Sequence, residues 1–115
     1  MRISTLVLAF AVLPGTVGPL AAVGEEEARP AARIRVSVTE FQFTPRNVQV
    51  RVGDTVVWTN NGTMTHTSTA NGGLWNSGNL APEKSFAFTF NATGQFPYRC
   101  TIHPVQMRGG VRVIP

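Results

Sequence analysis

Cys100, His103 and Met107 fall within eight residues of one another in the run Cys100-Thr101-Ile102-His103-Pro104-Val105-Gln106-Met107. The chain has one cysteine and two histidines, and the second histidine, His66, lies in a polar segment well upstream. Thiolate, imidazole and thioether are soft or borderline metal donors, and two imidazoles with one thiolate and a weak axial methionine make up the donor set of a mononuclear copper electron-transfer centre. Each residue taken alone is unremarkable. A free cysteine is commonly a small buried hydrophobe, and a methionine is commonly core filler. It is their conjunction that points to a metal.

Such a site needs a scaffold that brings His66 to the Cys100–Met107 segment. Apolar residues alternate with polar ones at Ile34, Val36 and Val38, at Val48, Val50 and Val52, and at Phe86, Phe88 and Phe90. The same alternation recurs at Phe96, Tyr98 and Cys100 and at Val111 and Val113, and this period is that of half-buried strands. Turn-forming clusters separate the strands at Thr44-Pro45, Gly53-Asp54, Asn60-Asn61-Gly62, Asn71-Gly72-Gly73, Ala81-Pro82, Asn91-Ala92-Thr93-Gly94 and Arg108-Gly109-Gly110. The pattern predicts an all-β sandwich forming a single domain. The only helical signal in it is a short turn around Pro82 to Lys84.

Strand parity places Cys100 on the face shared by Phe96 and Tyr98, pointing into the core. A thiolate buried there needs a cation to offset its desolvation. Pro104 turns the chain after His103, so that Met107 can return toward Cys100 before the last strand. Val56, Val57 and Trp58 are consecutive apolar residues and suit a strand buried on both faces or at an edge under a loop. The segment from Asn60 to Asn79 reads as a long irregular loop carrying His66, with Met64 as an apolar residue near the site or a rival axial ligand.

Residues 1–24 read as a signal peptide: Arg2 is followed by an apolar run, Ile3 to Leu13, that is too short to span a bilayer, and then by small residues. Removing them leaves about 90 residues, one small domain. Residues 25–33 read as a flexible tail that opens with Glu25, Glu26 and Glu27, and residues 34–115 as the copper-binding domain. In an exported chain a single cysteine has no internal disulfide partner, which points to intermolecular pairing, a reactive role or metal ligation. The formal net charge of +4 falls to +3 once Arg2 is removed, and the remaining basic residues are scattered. That excludes a nucleic-acid footprint and is compatible with steering toward an acidic partner.

The stretches Phe41-Gln42-Phe43-Thr44-Pro45, Val50 to Asn60, His66-Thr67, Phe96 to Pro104, Met107 and Gly110 to Val113 resemble the cupredoxins, small blue copper proteins of the plastocyanin, amicyanin and pseudoazurin group. The resemblance implies a Greek-key β-sandwich holding one copper ion, cycling between Cu(I) and Cu(II), on His66, Cys100, His103 and Met107. It also implies an exported, periplasmic, monomeric electron carrier. Larger redox proteins would act as donor and acceptor and dock near His103, amid Pro104, Val105 and Met64. Two positions depart from the pattern. Three residues separate His103 from Met107, where amicyanin-like chains have two and plastocyanin-like chains four. Thr67 stands where the family often has an asparagine that ties the two ligand loops together. Enzymatic turnover is not expected, because a copper oxidase or nitrite reductase needs further histidines. The competing expectation is a protein that stores or delivers copper without passing electrons.

Overall fold

The alternating stretches become strands wherever one face can be buried. A computed structural model of the chain describes residues 29–115, and residues 31–115 form one compact unit. The expected signal peptide and the acidic start of the tail lie outside the described residues. Eight strands run in order: β1 (Arg33–Thr39), β2 (Gln42–Thr44), β3 (Asn47–Arg51), β4 (Thr55–Asn60), β5 (Thr69–Ala70), β6 (Ser85–Thr89), β7 (Gly94–Arg99) and β8 (Arg108–Ile114). Ala32 and Arg33, read from sequence as the end of the tail, are already tied in. Ala32 donates its N–H to the buried Asp54 carboxylate, and Arg33 pairs with Thr55.

The strands form two four-stranded sheets, β2-β1-β4-β6 and β3-β8-β7-β5. β1 runs parallel to β4, and β3 parallel to β8. The chain returns within one sheet at the β1–β2 and β7–β8 connections and elsewhere passes from sheet to sheet. This is the expected all-β sandwich. β4 is an inner strand rather than an edge strand, with Val56 and Trp58 in the core cluster and Val57 also buried.

Between the sheets the core is aromatic. Trp58 stacks on Trp75 with ring centroids 5.4 Å apart, and Tyr98 meets both Phe43 and Trp58 edge-on at 4.7 and 5.4 Å. Burial pushes the Tyr98 hydroxyl up to about 12, only partly opposed by the nearby Trp58 indole, so it stays neutral. Gly109, opposite Tyr98 in the β7–β8 ladder, is needed for that packing: a Cβ there would lie 2.6 Å from the tyrosine ring and 2.7 Å from the Arg46 carbonyl.

Three local expectations are corrected. Val52 does not continue the inward series of Val48 and Val50, because β3 ends at Arg51 and Val52 enters the turn, 41% exposed. Pro82 and Glu83 form a turn closed by Lys84 N–H to the Ala81 carbonyl, with Glu83 at φ 74, rather than a helical turn. The segment from Asn60 to Asn79 is less irregular than its composition suggests. Hydrogen bonds within the segment order it: Ser77 Oγ accepts the Ser68 N–H at 2.8 Å, Ser77 N–H donates to the Ser68 carbonyl at 2.9 Å, and the Thr69 hydroxyl donates to Asn76 Oδ1 at 3.2 Å. Held this way, Thr67, Ser68, Thr69 and Trp75 are all buried.

Candidate metal centre

Two loops at one end of the sandwich carry the expected ligands. β7 ends at Arg99, and the next residue keeps the strand's parity, so Cys100 points inward and is fully buried. From there the chain folds back on itself. His103 N–H bonds the Cys100 carbonyl, Met107 N–H bonds the His103 carbonyl at 3.0 Å, and Cys100 N–H bonds the Met107 carbonyl at 3.0 Å. The three residues between His103 and Met107 are what this closed turn requires. Met107 is thereby buried completely beneath the loop, whereas Met64 is 42% exposed.

His66 arrives from the other loop, pinned by a two-way backbone bridge to Leu80 at 3.1 and 2.7 Å. Asn60 shapes the approach: its amide donates to the carbonyls of Met64 and Leu80 at 2.7 and 2.8 Å, and its oxygen accepts the Gly62 N–H at 2.9 Å. The sequence places Asn60 at a turn and at the end of a family-like stretch, without this role. A buried asparagine facing three backbone groups leaves no periodic signal in sequence.

Cys100 Sγ lies 3.8 Å from His66 Nδ1 and 4.0 Å from His103 Nδ1, and one donor atom from each of the three residues lies within 4.8 Å of the others. Metal bonds of about 2.0 Å to nitrogen and 2.3 Å to sulfur, spread near 120°, place N and S roughly 3.7 Å apart. The three donors are therefore arranged to share one small ion, and their softness suits copper. Cys100 Sγ also accepts the Thr67 N–H at 3.3 Å, a contact that ties the His66 loop to the sulfur.

Thr67 takes over the tie between the loops. Its hydroxyl accepts the Thr101 N–H at 2.9 Å and lies 3.1 Å from the hydroxyls of both Thr69 and Thr101. Thr67→Val is expected to lower metal-free stability by ~1 kcal/mol, near the lower end for a lost hydrogen bond because Thr101 is exposed and water can replace the acceptor. Thermal unfolding should show the midpoint falling by about 4–8 °C.

Behind His66 stands a residue absent from the sequence reading. Glu40 Oε1 lies 3.2 Å from His66 Nε2 and accepts the N–H groups of Thr63 and Met64 at 2.9 and 3.2 Å. The bond to His66 first, and then that from Met64, hold the Glu40 carboxyl below the ordinary carboxylate value. A neutral His66 with its proton on Nε2 donates to this carboxylate and keeps Nδ1 free on the side of Cys100.

The family model for copper-binding proteins of the plastocyanin/azurin family matches residues 30–114. The chain belongs to that family. Among its relatives within the cupredoxins, amicyanin-alpha from Methylorubrum extorquens is 30% identical over 122 residues, spanning 98% of this chain and 99% of the relative. Amicyanin from Paracoccus versutus is 30% identical over 89 residues, 73% of this chain and 67% of the relative. Among solved structures, a purple cupredoxin from Nitrosopumilus maritimus superposes with a TM-score of 0.65 at 27% identity, covering 70% of this chain and 99% of that one. For a cupredoxin of this kind the cofactor is a single copper ion, and the His66–Cys100–His103 cluster, with His66 and Cys100 buried and His103 half-buried, fits it.

Proposed function

We propose that this cupredoxin carries single electrons between larger redox proteins, with His66, Cys100 and His103 holding copper and Met107 as the weak axial donor. One observation carries the proposal. A fully buried thiol faces two imidazole nitrogens at 3.8 and 4.0 Å, with one histidine buried and the other reaching the surface. Copper held there supplies a one-electron couple. The protein's part is to keep the donors fixed and dry, so that little rearrangement accompanies a change of oxidation state. His66 and Cys100 are sealed from solvent, and the closed turn from Cys100 to Met107 holds His103 at the rim.

His103 is then the edge through which electrons pass. Around that end Ile102, Val105, Met64 and Phe41 are exposed, an apolar surface on which a partner can dock. A cleft of about 250 Å³ lined by Phe41, Gln106, Arg46 and Arg108 adds positive charge beside it, suited to an acidic partner. Among the described residues no helix is long and apolar enough to cross a membrane. The same proposal has residues 1–24 removed on export, leaving a short tail ahead of a monomeric domain that opens with β1. None of these residues is assigned to transforming a substrate.

Adding one equivalent of Cu(II) to the purified protein tests the proposal. An intense visible sulfur-to-copper charge-transfer band with reversible one-electron voltammetry supports it, and a colourless, redox-silent complex, as a storage protein would give, overturns it. The axial assignment has its own check. Met107→Leu removes a donor while keeping an apolar side chain of similar volume, so the reduction potential is expected to rise. An unchanged potential in voltammetry would mean that Met107 is not bound.

A further inference from the structure

The connection between β1 and β2 is two residues long, Glu40 and Phe41, with Thr39 paired directly to Gln42. Both touch an imidazole. Glu40 Oε1 lies 3.2 Å from His66 Nε2, and the Phe41 ring stands edge-on to His103 with centroids 4.8 Å apart and planes at 74°. The hairpin is remote in sequence from both ligand loops, yet it meets each histidine from outside.

Phe41 adopts a left-handed backbone at φ 68, where a bulky residue is unusual and a turn of this shape favours glycine. Burial does not explain it, since Phe41 is 50% exposed. What this conformation achieves is the ring's contact with His103. Glu40 also depends on a special neighbour. A Cβ on Gly62 would overlap Glu40 Oε1, although Gly62 itself has no left-handed φ. Gly62 is therefore needed for the room it leaves to the carboxylate. Backbone strain at one turn residue and a vacated side chain opposite the other converge on the two imidazoles.

We propose that the Glu40–Phe41 turn is a positioning element that holds His66 and His103 in ligand-ready orientation before the metal arrives. Glu40 fixes the His66 proton on Nε2, and Phe41 props the His103 ring toward Cys100. The proposal rests on the reading of His66 and His103 as metal ligands.

The test uses Phe41→Gly, Glu40→Gln and Gly62→Ala in the full protein. Glycine relieves the backbone at position 41, so the metal-free unfolding temperature of Phe41→Gly should be unchanged or higher. Its Cu(I) affinity, measured by chelator competition, should nevertheless fall about tenfold or more, as losses of supporting partners do. Nitrogen-15 NMR of the metal-free protein supplies a readout that stability alone would not move. His66 should lose its single Nε2-protonated form in Glu40→Gln and Gly62→Ala, and the His103 ring signals should broaden in Phe41→Gly. Variants that match the wild type in imidazole signals and bind Cu(I) within twofold of it would overturn the proposal while leaving the copper-carrier reading intact. A wild-type chain that fails to bind copper would overturn both.

Discussion

Cys100→Ser is expected to abolish the intense visible band and to weaken Cu(I) binding by more than the ~100-fold typical of losing a supporting partner. The side chain changes by a single atom, and the position is fully buried, so the packing around it is kept. Thr67 N–H, 3.3 Å from the sulfur, still finds an acceptor in the hydroxyl. What disappears is the anion. A serine hydroxyl does not ionise near neutral pH, so two imidazoles and a thioether are left without the soft thiolate that selects copper. Thermal unfolding separates this from a folding defect. Copper at a free concentration a thousand times its Kd stabilises the wild type by about 4 kcal/mol. The variant should unfold near the wild-type temperature without copper and gain almost nothing when copper is added. A variant that still gives stoichiometric uptake with a matching rise in unfolding temperature would show that Cys100 is not a ligand.

The closeness of Cys100, His103 and Met107 was legible in the sequence because they share one short segment, and strand parity alone turns Cys100 inward. His66 was legible because no other histidine remains to join His103. The groups that position these donors were not. Glu40 is one acid among several, in a hairpin that touches His66 only after the sheets have assembled. Phe41 lies in a stretch that carried the family resemblance, yet nothing in its surroundings announces a left-handed backbone or a ring against His103. Thr67 reads as a departure from the family pattern until the fold brings Thr101 within reach of its hydroxyl. Strand alternation and ligand type are local properties. Hydrogen-bond partners of the candidate donors are long-range ones, fixed by register between segments far apart in the chain.

Trp75 shows the same limit in the core. It sits in a segment rich in Asn, Gly and Ser, without strand or helix periodicity, and its neighbour Leu74 is exposed. Its indole nevertheless fills the space between the sheets. It faces Trp58 and Phe88 from one sheet at 5.4 and 5.5 Å, and Tyr98 and Phe96 from the other at 5.7 and 6.5 Å. Its N–H donates to the buried Ser68 Oγ at 2.9 Å. Trp75→Ala is expected to cost about 3–5 kcal/mol, because five aromatic rings cannot close around a cavity of that size without leaving their own packing. A domain of this length has roughly 4–13 kcal/mol in total, so the loss is a large fraction of its stability. Urea unfolding of the metal-free protein should show the midpoint falling accordingly, and Trp75→Phe, which keeps most of the ring contacts, should fall less. The effect extends to the metal centre. Ser68 follows Thr67, whose backbone N–H reaches Cys100 Sγ, so collapse around position 75 pulls on the segment that supports the thiolate. Copper should therefore recover part of the lost stability, with a weaker affinity than in the wild type. A Trp75→Ala variant within about 1 kcal/mol of the wild type would mean that the loop from Asn71 to Asn79 packs against the sandwich without helping to hold it together.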